Sequence, residues 1–266
     1  MVKNIGFIGC GNMGQAIMAG MLKAELVQPE NLKVSTSRTE TLSMIEQKYK
    51  IKGSLHNQEI AEFADLLFLA VKPNLHKEVL GEIKEHLKED VVIITMAAGM
   101  STKQIEEELN RKVKVVRTMP NTPALVGEGM TALSVNKAIT ETELAEIQRL
   151  LNSFGKTEVV KEDLMDAVPA ISGSSPAYAY LFIEALADGG VRDGIPRKQA
   201  YRMAAQALLG AAKMVLETGK HPGSLKDDVC TPGGTTIEAV AALEKNQFRA
   251  AILEAMQACT NKTKGI

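Results

Sequence analysis

Asn4-Ile5-Gly6-Phe7-Ile8-Gly9-Cys10-Gly11-Asn12-Met13-Gly14 decides the fold. An apolar run over 4–9 reads as a buried strand, it ends in glycines spaced G-x-G-x-x-G, and a helical pattern opens behind it over 11–24. Gly9 permits a tight turn, Gly11 lets a pyrophosphate approach the backbone, and Gly14 lets the helix pack on the strand. The helix start then offers unpaired N–H groups to phosphates. A G-x-G-x-x-G string alone is weak evidence; between a strand and a helix it predicts dinucleotide binding. The contacts expected there are Ile8, Gly9, Cys10, Gly11, Asn12, Met13 and Gly14.

Working outward, the first half alternates strand-like and helical segments. Residues 32–36 read as a second strand, and 40–49 as a helix with Leu42, Ile45 and Tyr49 near one face. Residues 65–71 form a continuous apolar run, typical of a parallel strand buried on both faces. Pro73 opens a helix to about Leu87, and 91–95 and 113–118 are further strands. Ser101 and Gln104 make a capping-box pattern before a helix ending near Leu109, and Thr140 caps a helix to about Asn152. Residues 130–135 and 157–160 are two more strands. This order predicts a doubly wound α/β sheet with right-handed crossovers, a Rossmann domain over 1–163. After about Leu164 the strands stop. Residues 164–266 read as an all-α domain with helices over 176–187, 196–218, 222–229, 235–245 and 248–262. Pro176, Pro196 and Pro222 each suit a first helical turn.

The 266 residues are 45% hydrophobic and 24% charged, ordinary values for a globular chain with a substantial core. A net charge of -1 argues against a broad nucleic-acid or membrane-binding surface. Cys10, Cys230 and Cys259 match no zinc or redox spacing and read as reduced thiols of a cytoplasmic protein. Four scattered histidines leave no metal motif, and neither a signal peptide nor a membrane span is expected.

The end of the second strand bears on cofactor choice. NAD-binding chains carry an acid there that bonds the ribose 2′-OH. Here Val34-Ser35-Thr36-Ser37-Arg38 has no acid before Glu40. Hydroxyls and a guanidinium suit a 2′-phosphate, so NADPH is the preferred donor and NADH the alternative.

Other strand ends supply further contacts. Ala70-Val71-Lys72-Pro73 ends a central strand, where ligands of open α/β sheets bind. Met96-Ala97-Ala98 ends the next, with small residues that allow close approach, and Asn121 lies between the prolines of Pro120-Asn121-Thr122-Pro123. In the helical half, Ser172-Gly173-Ser174-Ser175-Pro176 and Thr231-Pro232-Gly233-Gly234-Thr235-Thr236 each join a small-residue turn to a helix start. Exposed N–H groups and hydroxyls in the second form a ready carboxylate site. Each turn can also be read as a helix cap alone. Together they suggest a substrate pocket where the two domains meet.

With these residues assembled, the chain resembles the pyrroline-5-carboxylate reductase family over essentially its whole length. The resemblance rests on the glycine fingerprint, Ala70-Val71-Lys72-Pro73, Met119-Pro120-Asn121-Thr122-Pro123, Ser172-Gly173-Ser174-Ser175-Pro176-Ala177-Tyr178 and Ala185-Leu186-Ala187-Asp188-Gly189-Gly190. Its most specific element is Asp227-Asp228-Val229 running into Pro232-Gly233-Gly234-Thr235-Thr236-Ile237. The resemblance implies NAD(P)H-dependent reduction of 1-pyrroline-5-carboxylate to L-proline, the last step of proline synthesis. It implies an interleaved homodimer built by the helical domain, and larger rings of such dimers occur in the family. It adds Asn57 to the cofactor contacts. It makes Glu162, Ser174, Ser175, Asp228, Gly234, Thr235 and Thr236 substrate-pocket residues, with Thr236 the catalytic candidate. Asp228 and Ser175 depart from the family's asparagine and glycine. The competing readings are a β-hydroxyacid dehydrogenase of the 3-hydroxyisobutyrate type and a non-catalytic NADP-binding regulator.

Overall fold

The computed structural model describes residues 3–96 and 99–265. The first part of the chain runs β1 (Ile5–Ile8), α1 (Asn12–Lys23), β2 (Leu32–Ser35), α2 (Thr39–Tyr49), β3 (Lys52–Ser54) and α3 (Asn57–Phe63). It continues through β4 (Leu66–Leu69), α4 (His76–Ile83), β5 (Val92–Thr95), α5 (Thr102–Leu109), β6 (Lys114–Met119), β7 (Gly129–Val135), α6 (Glu141–Leu151) and β8 (Gly155–Val159). Five helices follow: α7 (Ser175–Arg192), α8 (Arg197–Thr218), α9 (Pro222–Val229), α10 (Thr235–Lys245) and α11 (Phe248–Lys264).

The strands form one sheet in the order β3-β2-β1-β4-β5-β6-β7-β8. Neighbours are parallel except β6 and β7. From β1 the chain steps outward to β2 and β3, then returns to β4 on the other side. That reversal opens a crevice at the C-terminal ends of β1 and β4, the usual ligand position in such sheets.

Helices cover both faces. Phe7 and Phe68, register partners on β1 and β4, stack with centroids 4.6 Å apart beneath Ile17, Met21 and Ile45. The alternate residues Ile8, Leu67 and Leu69 pack with Ile60, Leu80 and Ile105 on the other face. Each large apolar side chain buried this way contributes about 1.5–3 kcal/mol. Both capping boxes form: Ser101 with Gln104 starts α5, and Thr140 with Glu143 starts α6.

Three features differ from the sequence expectation. β3 and α3 are additional elements. Three residues, Lys52-Gly53-Ser54, and one short helix carry too little apolar periodicity to signal themselves. Docking holds α3 in place: Ile60 is fully buried, and a Cβ on Gly6 would lie 2.7 Å from its Cγ2. The helix expected from Pro73 to Leu87 is instead a 3₁₀ turn over Pro73–Leu75 followed by the shorter α4. Pro196 stands outside α8 as its N-cap rather than in the first turn.

The described chain divides into two compact units, one reaching Gly173 and including the chain's end from Thr260, the other Ser174–Cys259. The sequence places its boundary earlier, after residue 163, where strands give way to helices. Contacts place 164–173 with the sheet because Met165 and Val168 are buried there against Ala132, and because buried Arg117 pairs with Asp166 at 2.6 Å. The second unit buries few apolar side chains. Ala187, Ala200 and Ala204 are buried, whereas Tyr180, Leu181, Met203 and Leu216 stay 60–79% exposed. Among the described residues no helix is long and apolar enough to cross a membrane.

Candidate functional site

Three strand ends are tied together at the glycine turn. The Gly9 N–H donates to the Ser35 carbonyl at 3.0 Å, and the Ala70 N–H to the Ile8 carbonyl at 2.8 Å. Gly9 has φ +80°, and a Cβ there would lie 2.8 Å from Val71 Cγ1 and 2.9 Å from the Ala70 oxygen. Gly11 begins α1 in extended conformation, and nothing lies within 4 Å of where its Cβ would be. No side chain caps α1, so the N–H groups of Asn12, Met13 and Gly14 have no side-chain acceptor. Gln15 Nε2 donates to the Cys10 carbonyl at 3.2 Å and steadies the turn. Open space, a fixed turn and uncapped donors suit a pyrophosphate.

The glycines differ in tolerance. Gly14 would place a Cβ 3.4 Å from Ala70 Cβ, an ordinary contact. Gly9→Ala is expected to cost about 1–3 kcal/mol in backbone strain before its clashes are counted, and to abolish dinucleotide binding. Gly14→Ala is expected to bind within a few-fold of the parent chain. Thermal melts with a nicotinamide fluorescence titration check both, and equal behaviour of the two variants would overturn the turn assignment. Burial pushes the Cys10 thiol up to about 12, which keeps it protonated at neutral pH.

At the end of β2, Ser37 and Arg38 are exposed and Thr36 is nearly buried, its hydroxyl donating to the Arg38 carbonyl at 3.0 Å. Arg38 makes no ion pair among the described residues. Asn57, at the start of α3, accepts from the Ser35 hydroxyl at 2.7 Å and donates to Glu82 at 2.5 Å. Ser35 belongs to the hydroxyl-bearing segment the sequence points to, whereas Glu82 is not marked by anything in its local pattern. Ala70, Val71, Lys72 and Pro73 follow β4, with Lys72 exposed ahead of the 3₁₀ turn. Met96 follows β5 and packs against the core. Ala97 and Ala98 lie outside the described residues.

Asn121 and Glu162 have structural partners. Asn121 Nδ2 donates to the Ser172 carbonyl at 2.9 Å, and its Oδ1 accepts from the Met130 N–H at 2.8 Å. Its amide therefore clamps the loop after β6. Glu162 accepts from the Thr102 N–H at 2.6 Å and the Thr102 hydroxyl at 2.7 Å, so both carboxylate oxygens serve the start of α5.

Most substrate candidates of the second unit lie at two helix starts, those of α7 and α10. Ser175 opens α7, and the Ser174 hydroxyl lies 3.3 Å from Cys259 Sγ. Asp228, on α9, pairs with Lys220 at 3.2 Å on the surface. Gly233 has φ +66°, and Gly234 caps α10 in extended conformation. A Cβ on Gly234 would lie 2.3 Å from Thr231 Oγ1. No side chain caps α10, which leaves the N–H groups of Thr235 and Thr236 without a side-chain acceptor beside the half-buried Thr236 side chain.

Fold and fingerprint together define an NADP-type oxidoreductase carrying a helical association domain. Residues 4–99 match the family described as NADP oxidoreductase, coenzyme F420-dependent, and residues 162–266 match the pyrroline-5-carboxylate reductase dimerisation family. The chain is 47% identical over 264 residues to the pyrroline-5-carboxylate reductase of Escherichia coli, covering 99% of this chain and 98% of that protein. Among solved structures, a pyrroline-5-carboxylate reductase from Coxiella burnetii is similar at TM-score 0.93 and 34% identity, covering 100% of this chain and 98% of the other. The pyrroline carboxylate reductase of Plasmodium falciparum, solved with NADP bound, is similar at TM-score 0.88 and 34% identity, covering 99% and 97%. The chain belongs to the pyrroline-5-carboxylate reductase family. Likeness over the full length decides against the hydroxyacid dehydrogenase and the non-catalytic regulator.

Proposed function

We propose that the chain reduces 1-pyrroline-5-carboxylate to L-proline, with NADPH as the preferred donor and NADH as the alternative. Family membership supports the reaction. The observation that carries the site reading is the glycine-built, uncapped start of α10 at Gly234-Thr235-Thr236, in a chain whose α1 start is built the same way. A bound nicotinamide dinucleotide supplies the hydride that the imine carbon receives. The Gly234 N–H donates to the Thr231 carbonyl at 3.0 Å, so the N–H groups next to it, those of Thr235 and Thr236, hold the substrate carboxylate, and the Thr236 hydroxyl bonds the ring nitrogen. A threonine hydroxyl is too weak an acid to protonate the imine unaided at neutral pH, so Thr236 orients the ring or relays a proton from water. The rate then comes mainly from proximity and orientation. A steady-state assay of both cofactors against five- and six-membered cyclic imino acids tests the assignment, and preference for the six-membered ring would overturn it.

NADPH preference is supported by an acid-free β2 end and by an exposed Arg38 that has no ion-pair partner among the described residues. Arg38→Ala is expected to raise KM for NADPH about 10-fold or more, as loss of a charge-assisted phosphate contact does, and KM for NADH far less. Equal changes for both cofactors would refute the 2′-phosphate role. Self-association as an interleaved homodimer is supported by the apolar faces that the helical unit leaves exposed.

A further inference from the structure

We infer that Glu82 is a specificity-determining residue that holds the NADPH preference in check. The inference rests on the reading above, that residues 36–38 receive the adenosine 2′ group. In a dinucleotide fold, an acid at the end of the second strand accepts from a 2′-OH and repels a 2′-phosphate. β2 of this chain ends on Ser35 with no acid in Thr36-Ser37-Arg38. A carboxylate nevertheless reaches this strand end from α4, through one intermediate side chain. Ser35 Oγ donates to Asn57 Oδ1 at 2.7 Å, and Asn57 Nδ2 donates to Glu82 Oε2 at 2.5 Å. A flipped Asn57 amide would turn its oxygen toward the carboxylate, so Glu82 locks the amide with Oδ1 on Ser35.

The charge of Glu82 is not neutralised locally. Its side chain is exposed and forms no ion pair with a lysine or arginine among the described residues. Arg38 likewise forms no ion pair among the described residues, and exposed His56 precedes Asn57 in the chain. One guanidinium thus attracts the 2′ group while one carboxylate opposes its charge. A 2′-phosphate carries about two negative charges at neutral pH and a 2′-OH carries none, so the opposition falls on NADPH alone.

Glu82→Gln keeps an oxygen acceptor for Asn57 Nδ2 and removes the charge. The NADPH-to-NADH ratio of kcat/KM, and of affinities from nicotinamide fluorescence titration, is expected to rise about 3- to 30-fold. The rise is expected to shrink between low and high salt, because exposed charges are screened. A ratio within twofold of the parent enzyme, a fall, or a salt-independent rise would overturn the role of Glu82. Glu82→Ala separates charge from positioning: it is expected to raise the ratio similarly, and failure to do so also counts against the inference. If the parent chain binds neither dinucleotide, the cofactor reading fails and this inference with it. If it binds both while Glu82→Gln leaves the ratio unchanged, only the inference fails.

Discussion

Thr236→Ala is expected to lower kcat about 10- to 1000-fold, the range over which a group assisting proton transfer contributes. KM for the imine is expected to change little, because the carboxylate contacts come from backbone N–H groups that the substitution leaves intact. Stability is expected to hold as well. The N-cap of α10 is Gly234 and no side chain bonds into the cap, so the Thr236 hydroxyl supports no capping bond there. An activity loss without a shift in melting temperature therefore reports on chemistry rather than on the helix. Thr236→Ser restores the hydroxyl on the same backbone and is expected to recover most of the rate. Turnover near the parent value in Thr236→Ala would leave Thr236 a residue of the helix start and nothing more. A solvent isotope effect that falls in Thr236→Ala would favour the relay role over simple orientation.

The second large effect concerns assembly. Unfolding is expected to depend on protein concentration, with dissociation and unfolding in one transition. The helical unit buries Ala187, Ala200 and Ala204 but leaves Leu181 66% and Leu216 79% exposed, so its apolar faces need a second copy to become a core. Where folding and association are coupled, each tenfold dilution lowers the apparent stability by about 1.4 kcal/mol. The double substitution Leu181→Asp with Leu216→Asp places charges on these faces and is expected to shift sedimentation toward monomer and lower the melting temperature. A melting temperature independent of concentration, with parent-like sedimentation of the double variant, would refute the coupling.

The legible parts of this chain share one property. The turn from Gly9 to Gly14, the capping boxes at Ser101 and Thr140, and the 231–236 turn each act within a few consecutive residues. Their meaning lies in a positive φ at Gly9 and Gly233, or in a side chain meeting an N–H three positions on. Family resemblance adds identity on the same kind of contiguous evidence. β3 and α3 were illegible because a three-residue strand and a seven-residue helix carry no period of their own; Ile60 against Gly6 holds α3 where it is.

The sequence by itself therefore determined a dinucleotide-binding α/β domain, a following helical domain and the imine-reducing family, because those rest on local backbone geometry and on runs of specific residues. Only the tertiary structure decided that Glu162 bonds Thr102 at the start of α5, that Asn121 clamps Ser172 to Met130, and that Glu82 reaches the end of β2 through Asn57. Each of those joins side chains to groups on separate elements. Such a bond depends on which helices and strands pack side by side, and no local pattern encodes that.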